Sequence, residues 1–257
     1  MNGGSIGWWI FLGGMVVFMV SPLVVLILFS FSESSLLSLP IAGLTLAWFA
    51  KVFAESQFWA SLDNSLIVTG AVGAISTLIG TMAAFGLCRL QRRVAGVALL
   101  LLTLPVMVPP LVLGVMSLTY FSGIGIKLGL QTVILAHLTF TQPLVIMIVY
   151  ARMASFDYAA VHSARDLGAS QLQAFLTVTL PIIQPTVIGA ALVAMALSLD
   201  DFLVTFFTIG GGNTLPTLLW GMLRKIVDPT INVVAVVLMT LTISVSIVAL
   251  WLTRYRG

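Results

Sequence analysis

The sequence is poor in charge and in cysteine, and it lacks a nucleotide-binding motif. Only 7% of its 257 residues are charged, whereas a soluble domain carries about 25%. With 60% hydrophobic residues, the chain has too few polar side chains to cover a water-soluble fold. The single cysteine, Cys88, excludes an internal disulfide and argues against a thiolate metal site. No G-x-x-x-x-G-K-[ST] sequence occurs, which excludes ATP binding by a P-loop, and the glycine-rich segment 210–213 lacks the lysine.

Long apolar runs, by contrast, make up most of the chain. Six of them approach the roughly 20 residues that a helix needs to cross a bilayer. They run about 8–29, 65–87, 94–118, 132–150, 182–206 and 233–252. The first run has no basic segment before it and is too long for the apolar part of a signal peptide, so we expect it to be a span. The sequence therefore predicts an all-α, polytopic helical bundle in which residues 1–257 form a single transmembrane domain.

Basic residues are distributed unequally between the two sides that six spans define. One side, with both chain ends, holds seven of them: Arg89, Arg92, Arg93, Arg152, Arg165, Arg254 and Arg256. The other side holds four: Lys51, Lys127, Arg224 and Lys225. Because arginine and lysine accumulate in cytoplasmic loops, we expect both termini to be cytoplasmic. The net charge of +3 is too small and too dispersed to suggest nucleic-acid binding.

The longest polar stretch, residues 151–181, has the signals of two short helices joined by a glycine. We call this stretch the elbow. Asp157 can cap a first helix at 158–167, and Gly168 allows the turn that ends it. Ser170 and Gln173 form an S-x-x-Q capping box for a second helix. Pro181 follows where the chain enters the next apolar run.

The elbow resembles the cytoplasmic coupling loop of ABC-importer permeases, whose pattern is E-A-A, three residues, Gly, nine residues, Ile, any residue, Leu, Pro. Ala164, Gly168 and the segment 178–181 match it at the same spacing, whereas His162 replaces the glutamate and Ser163 the first alanine. In that family the loop docks on an ATPase subunit. The resemblance therefore implies a coupling role for seven residues: His162, Ser163, Ala164, Gly168, Ala169, Leu180 and Pro181.

The third span and the segment 44–60 each have a pattern that predicts local structure. Pro105, Pro109 and Pro110 remove backbone donors from the third span, which predicts a kink or a break. Such a break either lines a pathway or is a packing kink, and the sequence favours neither. Residues 44–60 place aromatic and apolar side chains on one helical face, which predicts a helix lying on the outer membrane surface.

The notable charges inside the apolar runs are Asp200 and Asp201, near the outer end of the fifth predicted span. A carboxylate there costs about 3 kcal/mol unless a partner or water offsets it. Adjacent helical residues point about 100° apart, so we expect one to face a pathway and the other to cap a helix or pair with a basic residue. His137, inside the fourth span, and Trp220 complete the predicted substrate pathway. Neither histidine belongs to a metal-binding pattern, and no nucleophile with a base is evident.

The segment S-L-D-D-F, followed by G-G-G-N-T-L-P-T-L-L-W-G-M-L-R-K and D-P-T-I-N, resembles the spermidine/putrescine branch of ABC permeases. Residues 64–66 and 151–152 also fit. That family implies a bacterial inner-membrane permease subunit of the type I importer (MetI-like) fold. It pairs with a second permease, two ATPase subunits that bind ATP and Mg²⁺, and a periplasmic binding protein. The chain itself would be neither an enzyme nor a binder of a cofactor.

Alternative functions remain open at this point. Relatives that carry opines, aminobutyrate or aminophosphonates have similar sequences. A secondary carrier would need a coupling-ion site in the membrane, for which Asp200 and Asp201 are the candidates. A channel or a structural subunit would have no need of the elbow.

Overall fold

The computed structural model describes residues 3–35, 41, 43–225 and 228–254; Arg256, counted above, lies outside them. This part of the chain contains twelve α-helices and no named strand, which confirms the all-α prediction. The helices are α1 Gly3–Ser30, α2 Ala47–Ala54, α3 Ser56–Leu87, α4 Arg92–Thr103, α5 Pro110–Gly123, α6 Leu130–Ala154, α7 Ala159–Asp166, α8 Gln171–Ala174, α9 Leu180–Asp200, α10 Leu203–Thr208, α11 Leu215–Leu223 and α12 Thr230–Arg254.

The chain divides into two compact units, residues 1–60 with 218–240 and residues 61–217 with 241–257. Each unit is described by itself below. The assignment of residues 1–257 to one transmembrane domain stays a prediction.

Five helical stretches in the described residues are long and apolar enough to cross a membrane. They are Gly7–Ser30, Ser56–Leu87, Leu130–Ala154, Gln171–Asp200 and Thr230–Val248. A bent pair of helices raises the number to six if it counts as one span. The second span was predicted to begin at residue 65, but α3 begins at Ser56. The apolar run begins later than the helix because Asp63 and Asn64 interrupt the hydropathy without breaking the helix.

The third span is broken rather than continuous. It consists of α4, a 3₁₀ turn at Leu104–Met107 and α5, and its two halves meet at 96°. Pro105 lies in the 3₁₀ turn, and Pro110 is the first residue of α5, where its missing N–H costs no helical hydrogen bond. The predicted span 94–118 therefore contains two helices, and of the kink or break that the prolines predict, the structure has the break.

In the first unit, α2 is held by aromatic and ionic contacts. The Trp48 indole Nε1 donates to the Ser32 carbonyl oxygen over 2.8 Å, and the Phe31 and Phe49 rings lie 4.9 Å apart. Lys51 Nζ lies 3.0 Å from Asp228 Oδ2. Burial acts to raise the pKa of Asp228, but hydrogen bonds from Thr230 and Lys51 outweigh it and hold the pKa below its ordinary value. The predicted surface helix is shorter than expected, since residues 56–60 belong to α3.

The core of the second unit forms where α6 packs against α9. Val145, Val149 and Met153 of α6 and Ile183 and Ala190 of α9 are fully buried in one cluster. Glycine permits a second close contact, between α5 and α10. A Cβ at Gly114 would lie 2.8 Å from Phe207 Cδ2 and 3.1 Å from the Leu203 carbonyl oxygen. The two helices therefore approach each other through their backbones.

Replacing Gly114 by leucine is expected to separate α5 from α10 and to destabilise the chain by about 1–3 kcal/mol, because the neighbouring backbone cannot yield. Gly96→Leu is the matched control, since a Cβ at Gly96 on α4 meets nothing within 4 Å. Thermal unfolding of the two purified variants in detergent compares them. An unfolding temperature of Gly114→Leu equal to that of Gly96→Leu contradicts the assigned contact.

Candidate functional site

The first helix of the elbow is α7; its N-cap residue is Tyr158 rather than Asp157, but the Asp157 carboxylate still accepts a hydrogen bond from the first turn. The Ala159 N–H donates to Asp157 Oδ1 over 2.9 Å. The helix is one residue shorter at each end than predicted. His162 and Ser163 lie exposed on it, and Ala164 is half-buried. The two residues that depart from the coupling-loop pattern are thus on the accessible surface.

Gly168 ends α7 in the left-handed region, with φ +95°. Its N–H donates to the Arg165 carbonyl oxygen over 2.9 Å, and the Ala169 N–H donates to the Ala164 carbonyl oxygen over 3.1 Å. Only glycine adopts this φ at little cost, so this position fixes the turn between the two helices of the elbow. The turn predicted at Gly168 is confirmed.

The second helix of the elbow starts at the predicted capping box. The Gln173 N–H donates to Ser170 Oγ, and the Ser170 N–H donates to Gln173 Oε1 over 2.8 Å. A π-helical turn at Phe175–Thr179 follows, and α9 continues from it with Pro181 in its first turn. Residues Gln171–Asp200 therefore form one helical rod of 30 residues. One end of this rod belongs to the elbow, and the other carries Asp200.

Arg89 fastens the elbow to the end of α3, a role that the sequence did not reveal. Its guanidinium carbon lies 4.0 Å from the centre of the Phe85 ring. With the Gln171 amide oriented so that its oxygen faces the guanidinium, Arg89 donates to that oxygen over 3.1 and 2.6 Å. The Phe85 and Phe175 rings lie 4.4 Å apart. Beside these contacts lies a pocket whose lining includes His162 and Arg165.

Apolar side chains are exposed on the elbow although its surroundings are polar. Leu167 is 90% exposed and Leu172 is 66% exposed. Leu167 follows Arg165 and Asp166 in the chain, and both of these charged residues are exposed. Exposed apolar groups rimmed by polar ones are typical of a surface that contacts another protein.

The fifth span ends earlier than predicted, at the two aspartates. Helix α9 ends at Asp200, and Asp201 is extended with ψ 122°. A separate helix, α10, begins at Leu203. The expectation that both aspartates lie inside one continuous helix, about 100° apart, is therefore wrong. The apolar run continues across the break, so hydropathy did not reveal it.

Asp201 caps α10 and contacts His137. Its Oδ2 accepts from the Thr205 N–H over 2.8 Å and from Thr205 Oγ1 over 3.1 Å. His137 Nε2 lies 3.2 Å from the same oxygen. Asp200, one residue earlier, is exposed. The capping role was predicted for the aspartate that does not face a pathway, but Asp201 both caps α10 and lies at the cavity described below. The structure also brings Asp201 together with His137, which lies 64 positions away.

Asp201 is also the one charged residue among those lining a cavity of about 190 Å³ at the broken third span. Its other walls are apolar: Pro105, Val106, Val108, Pro110, Leu113, Phe140, Leu144, Leu197 and Val204. The break in the third span therefore faces a space with a single carboxylate at its wall. Such a space suits a cation attached to an apolar chain.

Trp220 lies in the first unit, where the Arg224 guanidinium carbon is 4.9 Å from the centre of its ring.

Within the described ranges, no three side chains from His, Cys, Asp and Glu gather closely enough to hold a metal ion.

The glycine-rich loop at residues 210–213 is anchored to the start of the apolar part of α3. Asn64 Nδ2 donates to the Asn213 carbonyl oxygen over 2.8 Å, and the Leu215 N–H donates to Ser65 Oγ over 2.9 Å. Gly210 turns the chain with φ +69°, close to the Leu128 carbonyl oxygen. Two sequence segments that carry the polyamine-permease resemblance are thus in direct contact.

Known proteins resemble this chain in sequence and in fold. The putrescine transport system permease protein PotI of Escherichia coli K12 is 30% identical over 86% of this chain and 82% of its own. The spermidine/putrescine transport system permease protein PotC of the same strain is 28% identical over 95% of this chain and 92% of its own length.

Two solved structures share the fold at lower sequence identity. A bacterial alginate ABC transporter, in complex with an alginate-bound periplasmic protein, matches with TM-score 0.72 at 15% identity, over 95% of this chain and 92% of the other. The MetNI methionine ABC transporter in an inward-facing conformation matches with TM-score 0.64 at 18% identity, over 79% of this chain and 99% of the other. Residues 76–255 match the model of one protein family. The chain therefore belongs to the binding-protein-dependent transport system inner membrane components.

Proposed function

We propose that this chain is one of two permease subunits of an ATP-driven importer for polyamines, and that it forms half of the translocation pathway. A periplasmic binding protein delivers the substrate, and two ATPase subunits bind ATP and Mg²⁺. The chain itself holds no cofactor and catalyses no reaction. The elbow docks on an ATPase subunit through His162, Ser163 and the exposed leucines.

One observation carries this proposal: the helical rod Gln171–Asp200 joins the elbow at one end to the paired carboxylates at the other. A displacement of the elbow by an ATPase is transmitted along a rigid helix to Asp200 and its neighbour Asp201. The capping box and the Arg89 contacts keep the elbow from moving independently. This is the arrangement that alternating access requires, because a soluble subunit has to move groups inside the membrane.

Polyamine is favoured as the substrate by the names of the relatives and by the chemistry of the cavity. The relatives PotI and PotC are named for putrescine and for spermidine/putrescine. A polyamine carries ammonium groups on apolar methylene chains, and the cavity offers one carboxylate on an apolar wall. Stripping water from an ammonium is costly without such a counter-charge.

The chain reconstituted alone is expected neither to hydrolyse ATP nor to transport putrescine, since its sequence has no P-loop. The complete complex, purified from the native membrane and supplied with the binding protein, is expected to contain an ATPase and to import putrescine only with ATP. Both preparations are assayed in liposomes with radiolabelled putrescine. Uptake by the lone chain, driven by an ion gradient, would support the secondary-carrier function. ATP-driven uptake of another solute with no putrescine uptake would contradict the polyamine assignment alone.

The elbow is proposed to be cytoplasmic, which the arginine distribution supports. In a Cys88→Ala background, Ser56→Cys is expected to react with an impermeant maleimide added to intact cells, and Ser170→Cys only after permeabilisation. Both serines are exposed, so accessibility to water is matched between the two variants. Removal of Cys88 eliminates the background reaction of the only native thiol. The reverse labelling pattern would invert the orientation.

A further inference from the structure

His137 is a buried polar residue in the middle of an apolar span, and both of its ring nitrogens have partners. The side chain is inaccessible to solvent. Nδ1 lies 2.8 Å from Ser198 Oγ at the end of α9, and Nε2 lies 2.9 Å from Thr205 Oγ1 in α10. The ring therefore joins α6 to the helices on both sides of the break at Asp201.

The hydrogen bonds determine which ring nitrogen carries a proton. Thr205 Oγ1 donates its hydrogen to Asp201 Oδ2, so toward His137 it can only accept. His137 Nε2 must then carry a proton, whether the ring is neutral or charged. That N–H lies between Thr205 Oγ1 at 2.9 Å and Asp201 Oδ2 at 3.2 Å. Its positive end is directed at the carboxylate.

The contacts that Thr205 and His137 make with Asp201 all involve the same carboxylate oxygen, Oδ2. Oδ2 receives both Thr205 donors and faces His137, whereas no described residue donates a hydrogen bond to Oδ1. Asp201 also lines the apolar cavity at the broken span, and 11% of its side chain is exposed. The geometry points to His137 as the positioning residue that fixes Oδ2, so that Oδ1 is presented to the cavity as an acceptor for a substrate ammonium. This inference rests on the proposed function, in which Asp201 belongs to the cation pathway.

A double-mutant cycle tests whether His137 acts through Asp201. In the assembled complex with its ATPase subunits, His137→Leu is expected to raise the KM for putrescine on the order of tenfold, with a smaller change in maximal rate. In the Asp201→Asn background the same substitution is expected to change the KM by less than about threefold. His137→Gln, whose amide can donate near the Nε2 position, is expected to restore much of the wild-type KM.

Thr132→Val is the matched control. Thr132 is a second fully buried polar residue of α6 that bonds to the α10 region, donating to the Thr208 carbonyl oxygen over 2.7 Å, but it does not contact Asp201. Its effect is expected to be the same with Asp or Asn at position 201. Uptake is normalised to the amount of assembled complex, so a folding defect is counted separately.

The outcomes distinguish the inference from the function on which it rests. Equal effects of His137→Leu in both backgrounds, with Asp201→Asn itself impaired, overturn the positioning role and leave the pathway intact. Normal putrescine uptake by Asp201→Asn removes Asp201 from the pathway and overturns both. An absence of putrescine uptake in the wild-type complex overturns the proposed substrate only.

A second measurement does not depend on the substrate. The chain has two histidines, so a ¹⁵N-histidine spectrum of the complex is assigned by comparison with a His162→Gln variant. A protonated Nε2 is expected for His137, and its resonance is expected to shift in Asp201→Asn. A ring protonated at Nδ1 alone, or a resonance unaffected by Asp201→Asn, overturns the positioning role whichever solute is carried.

Discussion

Replacing Gly168 by proline is expected to reduce uptake to background while the complex remains in the membrane. Proline fixes φ near −65°, whereas Gly168 has φ +95°, so the turn between the two elbow helices cannot form. The substitution also removes the N–H that donates to the Arg165 carbonyl oxygen. The second elbow helix then leaves α7 in another direction, and the docking surface is lost. Uptake is measured in proteoliposomes, and assembly by co-purification of the ATPase.

Gly168→Asn is the control for this position, because asparagine tolerates the left-handed region better than other residues with a Cβ. A Cβ at Gly168 meets nothing within 4 Å, so space does not restrict the substitution. We expect Asn to retain most uptake at a cost of about 1 kcal/mol in backbone strain. Vigorous uptake by Gly168→Pro would show that the elbow does not couple the chain to an ATPase.

The second large effect is expected at the paired aspartates. Asp201→Asn should lower putrescine uptake by about tenfold or more. The substitution replaces a carboxylate oxygen, which attracts an ammonium group, by an amide NH₂, which repels it. The Thr205 N–H and hydroxyl require an oxygen at the position of Oδ2, so the asparagine oxygen takes that place. Its NH₂ group then faces the cavity, where it opposes an ammonium. Basal ATPase activity and assembly should be retained.

Asp200→Asn is the matched substitution for this comparison. Asp200 is exposed at the last residue of α9, whereas Asp201 lines the cavity. We expect Asp200→Asn to lower uptake by about threefold at most, since solvent screens its charge. Normal uptake by both single variants and by the double variant would make the pair structural, and the cation would then pass along the second permease.

The elbow could be predicted from the sequence almost residue by residue because its signals are local. The capping box at Ser170 and Gln173 and the turn at Gly168 depend on residues within one helical turn of each other. The prolines of the third span predicted that it is kinked or broken. They did not predict the 96° angle between its halves, because that angle depends on packing against other helices.

The candidate cation site was predicted only in part, because its geometry depends on distant contacts. Hydropathy extended the fifth span through the break at Asp201, since the residues of α10 are themselves apolar. The partners of His137 lie 61 and 68 positions away, and no local pattern links them. Arg89 was interpreted as a marker of membrane orientation, although it also binds Gln171.

The π-helical turn at Phe175–Thr179 has a consequence for comparing this chain with its relatives. A π turn holds about one residue more than an α turn, and one residue corresponds to a rotation of about 100° around the helix axis. The elbow and α9 are therefore out of phase with an uninterrupted α-helix. A relative without the extra residue matches this chain on both sides of the turn only if the alignment opens a one-residue gap there. An ungapped alignment would pair residues of the two elbows that differ by about 100° in their direction around the helix axis.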